Sequence, residues 1–372
     1  MDFRDTLWLP TKDLLAGNMP WDIAAYKDRY PGAQIVPVYT PWYGIVTYPL
    51  TLLPYELACA IWLALSTAAL CCMVTMSLAR LWPAALAKAP WALPVVMTVL
   101  CLSRPGRSGI TSGNWAVLTA SGAALALLLP PERRHQTVAA LLAFVKPQVA
   151  VPFVATQLIR GEAKSLWRPL GLGALLSLPV VILACQRAGG PSRALGYVVS
   201  TLQAGDEVNT GPTSPSSTRV DLAGNLERLG ADAALTIVGL MASVALLLVL
   251  ALLATRRFGP LSYQSLLACG LAMLVILPNQ SYGYPVLIPG LVAAVGALST
   301  DSSLSTRDRL VLLLTLTLLA VPIADTGPAM GWLGLGKLSA AAVTASSLEA
   351  SALGIFWLTM KSRPGEVSHP VQ

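Results

Sequence analysis

Charge is what this sequence has least of. Asp, Glu, Lys and Arg together make up 12% of its 372 residues, about half of the roughly 25% a water-soluble chain uses to cover its surface. Hydrophobic residues fill the gap at 55%, and the mean hydropathy is +0.64. The missing polar surface is the surface that lipid would cover. No run of Lys or Arg exceeds a pair, and no zinc-finger or RNA-binding aromatic motif accompanies them, so the net charge of +7 does not indicate nucleic acid. Paired polar-loop cysteines are missing as well. Cys59, Cys71, Cys72, Cys101, Cys185 and Cys269 sit in or beside apolar runs, which suits core packing rather than a disulfide framework or zinc site. No signal peptide is expected in this opening stretch, because it holds Asp2, Arg4, Asp5, Lys12 and Asp13. Phosphate-binding Gly-Lys loops, HExxH, GxSxG and Rossmann glycines are absent, and no compact spacing of acids suggests a metal or other cofactor.

What is present is apolar helix. Windows at 57–79, 113–130, 168–186, 231–254 and 338–359 approach the ~20 residues a helix needs to cross hydrocarbon. Shorter runs at 91–102, 263–277, 285–298 and 310–322 are spans with less apolar ends or partly re-entrant helices. Uninterrupted runs exclude a transmembrane β-barrel, whose strands alternate. Between Arg134 and Arg160 the apolar run is broken by Lys146-Pro147. One span would bury Lys146 at midplane, at a cost of a few kcal/mol; a hairpin would bring it to the outer face.

Charge counting favours the hairpin. Arg80, Lys88, Arg133, Arg134, Arg160, Lys164, Arg168, Arg256, Arg257, Arg307, Arg309, Lys361 and Arg363 then share the cytoplasmic side. The expected fold is an all-α polytopic membrane protein of about eleven transmembrane or re-entrant helices in the plasma or inner membrane. An outer segment at 1–56 leads into membrane helices at 57–186 with the Lys-Pro hairpin. A second outer segment at 187–230 precedes membrane helices and a short tail at 231–372. A polar N-terminal stretch outside the membrane predicts a further apolar segment ahead of Met1 in the natural product.

The 1–56 segment mixes Asp2, Asp5, Asp13, Asp22 and Asp28 with nine Trp and Tyr residues, Tyr39 among them. Carboxylates accept hydroxyl hydrogen bonds and aromatic faces stack on sugar rings, while an interfacial aromatic belt has the same composition. Its order is more telling. Asp2-Phe3, Leu14 to Gly17, Pro20-Trp21-Asp22, Tyr39-Thr40-Pro41, Pro49 to Pro54 and Trp62 follow one another in a pattern that resembles glycosyltransferase family 87, the polyprenyl-phosphate-mannose-dependent membrane enzymes of GT-C type. Gly113-Asn114, Lys146-Pro147-Gln148 and Pro278 to Tyr284 extend the similarity over about 300 residues. The chain departs from the pattern at Arg219 to Gly224 and at Gly283-Tyr284, which puts donor or acceptor preference in question.

The resemblance implies a GT-C-like bundle with its active site on the outer face, moving mannose from a polyprenyl phosphate to a lipid or glycan acceptor. Asp2 matches the family's general base, and an aspartate near its ordinary pKa of ~3.9 is ionised at neutral pH. Asp5, one helix turn on, is the second candidate. Lys146 is the first candidate for the lipid phosphate, with snorkelling to headgroups as the alternative. Arg104 and Arg107, in a short outer Ser-Arg-Pro-Gly-Arg-Ser loop, suit the same anion or native lipid phosphate. Asn279, Gln280 and Tyr282 suit sugar hydroxyls, or form a plain connecting loop. Within 187–230, Arg193 to Gln203 reads as an interfacial helix followed by a loop that closes over the acceptor or merely connects. Glu349, well inside the last span, is expected to be neutral, paired or cavity-facing. The rival class is a transporter or flippase for a lipid-linked or small polar substrate, but the matched broken repeats of transporters are missing.

Overall fold

Apolar runs interrupted by Pro, Gly and capping residues fold into a bundle of helices, seen in a computed structural model that describes residues 3–33, 41–130, 133–205, 225–226, 230–275, 281–323 and 337–361. Among the described residues there is no strand. A π-helical turn, Phe3–Trp8, runs into α1 (Leu9–Leu15), and α2 (Ile23–Arg29) and α3 (Tyr43–Thr51) complete the first polar segment. Then come α4 (Tyr55–Leu81), α5 (Pro83–Lys88), α6 (Ala92–Leu102), α7 (Arg104–Ser112), α8 (Ala116–Leu128), α9 (Arg134–Ala143), α10 (Pro147–Ile159), α11 (Lys164–Ala188) and α12 (Pro191–Gly205). The last five are α13 (Ala233–Phe258), α14 (Tyr263–Val275), α15 (Ile288–Thr300, entered from a 3₁₀ turn, Ser281–Leu287), α16 (Thr306–Ala320) and α17 (Lys337–Lys361).

Five described stretches are long and apolar enough to cross a membrane: Tyr55–Leu81, Lys164–Ala188, Ala234–Phe258, Gly283–Thr300 and Ala342–Lys361. One expected span is not among them. The 113–130 window forms α8, only thirteen residues, of which twelve are buried. Lipid does not bury it; protein does. All thirteen residues of α14 are buried in the same way, so these two short helices occupy the centre while longer ones such as α11 face outward. Small residues permit the central packing. A β-carbon on Gly122 would lie 2.6 Å from the Ala139 carbonyl oxygen, so the α8 and α9 backbones meet directly, as in small-residue membrane packing.

Hydrogen bonds and packing define two ends. At one, Arg80 donates to the Leu128 carbonyl, Arg160 donates to the Leu127 carbonyl at 2.8 Å and the Pro260 carbonyl at 2.9 Å, and Arg257 donates to the Met360 carbonyl at 3.0 Å. Arg309 joins them through the carbonyls of Leu304 and Leu298. This is the basic end. At the other, Phe3, Leu7, Trp42, Trp62, Trp115 and Val145 form one buried cluster. Helices α9 and α10 run between these ends and back: Val145 at their turn belongs to the aromatic cluster, whereas Arg160 beyond α10 reaches the end of α8. Pro147 sits at the start of α10, where a proline's missing N–H costs nothing.

The amphipathic piece expected at Arg193 to Gln203 is α12. It docks on the first polar segment, with Thr201 Oγ1 donating to the Trp21 carbonyl at 2.9 Å and Ala194 and Tyr197 packing in a cluster with Leu14, Met19 and Trp21. The described parts of both long polar segments therefore meet at the aromatic end.

Candidate active site

The opening turn is held by aromatic contacts from the membrane helices. The Phe3 ring stacks on Trp62 at 5.4 Å and on Tyr55 at 6.2 Å, and the Trp8 indole N–H donates to the Leu50 carbonyl at 3.2 Å. Trp62 in turn donates to the Gly113 carbonyl at 2.8 Å and meets Trp115 edge-on at 4.6 Å. Gly113 is left-handed, with φ +67°, and ends α7. The family-like Gly-Asn at 113–114 thus marks a turn that receives Phe3.

Asp5 lies on this turn, fully buried. Its carboxylate accepts from Arg4 Nε at 2.6 Å, while Arg4 also donates to the Gly32 carbonyl at 2.7 Å. That hydrogen bond, and then the Asp5 charge, push the Arg4 guanidinium above its ordinary value. Tyr26 donates its hydroxyl to the Asp5 carbonyl at 2.8 Å. Burial, followed by the Asp5 charge, raises the Tyr26 phenol.

The other acids of the segment have different roles. Asp13 is fully buried and accepts from Arg29 Nε at 3.1 Å, a second Arg29 nitrogen at 2.6 Å, Asn18 Nδ2 at 2.9 Å and Tyr30 at 3.5 Å. A carboxylate so fully engaged is a structural anchor. It also contributes to lifting the Tyr30 phenol, after burial itself. Asp22 caps α2, accepting from the Ala25 N–H at 3.2 Å, and Asp28 is exposed. Asp2, Tyr39, Asn279 and Gln280 lie outside the described residues.

Arg104 and Arg107 are not in a loop. They stand on α7, because Ser103 Oγ accepts from the Gly106 N–H at 3.1 Å and Pro105 fits the first turn, where its absent N–H is not needed. Arg104 is half-buried and Arg107 exposed. Helix α7 packs against the 3₁₀ turn Ser281–Leu287, which carries Tyr282. Lys146, buried at 7% exposure, follows Val145 of the aromatic cluster. The structure thus gathers the Asp5 turn, α7, the 281–287 turn and the Lys146 tip at one end of the bundle. Sequence reasoning missed the partners of the acids. Arg29 lies sixteen residues from Asp13, beyond any local spacing rule, and its only signal is an arginine within the same acid-rich segment.

The sequence profile of glycosyltransferase family 87 matches residues 38–278. The chain belongs to this family. The glycosyltransferase matches no curated protein and no solved structure. The matched region runs from the end of the first polar segment through α14, so it includes Trp62, Gly113, Lys146 and both arginines of α7.

Glu349, which this glycosyltransferase carries within α17, is paired. Asn225 Nδ2 donates to its two carboxylate oxygens at 3.3 and 3.1 Å and lies 3.2 Å from Ser346 Oγ. Its side chain also lines a small cavity of about 130 Å³ with Ser243 and Leu271.

Proposed function

We propose that this glycosyltransferase moves a sugar, mannose by preference, from a polyprenyl-phosphate donor to a lipid or glycan acceptor, with inversion, at the aromatic end of the bundle. The observation that carries this reading is the convergence there of a buried carboxylate turn, a two-arginine helix and a lysine-bearing hairpin tip. An anionic, lipid-linked donor needs all three kinds of group within one site.

In the proposed reaction a carboxylate takes the proton from the acceptor hydroxyl. The freed oxygen pair bonds to the anomeric carbon while the bond from that carbon to the phosphate oxygen breaks, and polyprenyl phosphate departs. Asp2 is the base. It immediately precedes Phe3, which is fixed against Gly113, whereas Asp5 is enclosed and already holds Arg4. Asp5 is therefore a positioning residue that stiffens the turn. Lys146, with Arg104 and Arg107, binds the departing phosphate by charge-assisted hydrogen bonds, and Asn279, Gln280, Tyr282 and Tyr39 bind hydroxyls. The basic end faces the cytoplasm of the plasma or inner membrane because its arginines lie at helix ends beside short connections, which turns the aromatic end outward.

The test is sugar transfer from polyprenyl-phosphate mannose by membranes containing the chain, beside Asp2→Asn, Asp5→Asn and Lys146→Gln at matched amounts. Asp2→Asn is expected to lose turnover by at least 10²-fold with thermal stability unchanged. Asp5→Asn is expected to lose stability together with activity. Full turnover in Asp2→Asn would remove it as the base.

A further inference from the structure

At the basic end, two helices bring cations to one aromatic ring, and a third places an arginine beside them. The Arg307 guanidinium, in the first turn of α16, lies 4.4 Å from the centroid of Trp357, and the Lys361 ammonium, at the end of α17, lies 4.7 Å from it. The two charges cannot be farther apart than roughly 9 Å, about one Debye length at physiological salt. Arg257, ending α13, donates to the Met360 carbonyl beside them, and Arg256 is exposed next to it.

Among the described residues no carboxylate forms an ion pair with Arg307, Lys361 or Arg257. Of the ion pairs Arg4–Asp5, Arg29–Asp13 and Arg160–Glu162, only the last lies at this end, and it engages a different arginine. Asp308, adjacent to Arg307, accepts from Ser305 Oγ at 2.6 Å. A cation in the first turn of a helix also opposes the helix dipole, so Arg307 favours an anion close by. The ring contributes cation–π attraction but carries no charge, and the single Asp308 carboxylate of that turn offsets only part of the excess from Arg307, Lys361, Arg257 and Arg256.

The setting identifies the anion. Two stretches able to cross a membrane, Ala234–Phe258 and Ala342–Lys361, end at this corner, and a tryptophan one turn from a span's end sits where interfacial aromatic belts lie. The helix faces leading away from the cations are apolar and open: Leu310, Leu313 and Leu314 on α16, and Leu353, Phe356 and Met360 on α17. A phosphate above and hydrocarbon below is the form of a phospholipid. Basic pockets between membrane helices bind such headgroups. We propose that Arg307, Lys361 and Arg257 form a binding site for the headgroup of an anionic phospholipid, whose acyl chains lie along α16 and α17.

The full chain in neutral detergent provides the test, by its thermal midpoint with added phosphatidylglycerol, phosphatidylcholine or inorganic phosphate. Phosphatidylglycerol is expected to raise the midpoint by about 3 °C through preferential binding to the folded state, and the other two to leave it unmoved. Arg307→Gln with Lys361→Gln should abolish that rise, while Arg134→Gln, an exposed arginine elsewhere, should keep it. An undiminished rise in the double variant, or an equal rise with phosphatidylcholine or free phosphate, would overturn the assignment. Native mass spectrometry of the unmodified chain needs no variant: phosphatidylglycerol should survive higher collision energy than phosphatidylcholine, and equal survival would count against the site.

Discussion

A β-carbon placed on Gly113 would stand 2.7 Å from the Phe3 β-carbon, closer than two such atoms approach in folded proteins. The turn that ends α7 and the turn that starts the chain are thereby fitted to each other. Glycine at 113 is required twice, once for its left-handed backbone and once for space.

Gly113→Ala should accordingly displace Phe3 and the Asp5 turn behind it. The left-handed backbone alone costs on the order of 1 kcal/mol for a side-chain-bearing residue, and the collision adds to it. Gly161→Ala is the control, because Gly161 has φ +74° with nothing within 4 Å of the added carbon. Thermal melting of both variants should show the larger loss at 113, and only Gly113→Ala should lower sugar transfer per folded molecule. Equal losses would mean that the Phe3 contact contributes nothing.

Asp13→Asn should behave as a folding variant. It removes a negative charge from Arg29, Asn18 and Tyr30 at once. Breaking a fully buried pair costs roughly 3–5 kcal/mol, and since the Arg29 side chain is 30% exposed, solvent screening brings the expected loss to about 1–3 kcal/mol. Reduced accumulation and a lower melting point are expected, with turnover of the surviving folded enzyme close to wild type. A stable protein with no turnover would instead make Asp13 part of the chemistry.

Alkaline pH should loosen the same region. The Tyr26 phenol is raised in the folded protein, first by burial and then by Asp5, and the buried Tyr43 phenol is raised by burial alone. Unfolded tyrosine ionises near pH ~10, so the stabilisation is complete below that pH and is lost as pH climbs above it. Melting points between pH 8 and pH 11 should fall more gently in Tyr26→Phe than in the wild type above pH ~10. Parallel curves would show that Tyr26 ionises freely.

Hydropathy sufficed for helices buried against lipid and failed for those buried against protein. Tyr55–Leu81, Lys164–Ala188, Ala234–Phe258 and Ala342–Lys361 all lie where long apolar windows place them, because a lipid-facing helix must be apolar over its whole length. Helix α8 is just as apolar but only thirteen residues long; surrounded by other helices, it has no need to match the bilayer. Gly283–Thr300 was visible only as a shorter run, since its first turn carries polar and proline residues. At the candidate site, Asp5, Lys146 and the two arginines of α7 are singled out by residue type alone. The helical state of α7 was missed because a serine, a proline and two glycines read first as a loop, although Ser103 and Pro105 are also helix-start signals. The Asp13–Arg29 fork and the Phe3–Gly113 fit depend on three-dimensional proximity between distant positions, which no spacing rule encodes.

Arg160 has a consequence for how the protein is made. Its guanidinium is 2% exposed and is satisfied partly by Leu127, synthesised before it, and partly by Pro260, a hundred positions later. At roughly 5–20 residues per second, the ribosome delivers Pro260 some 5–20 s after Arg160. Through most of that interval α13 does not yet exist, and the nascent chain holds at the basic end an arginine with a donor still unused. Completion of that corner therefore waits on translation of the second half, and a chain halted before Pro260 would leave the insertion machinery with an open, charged seam.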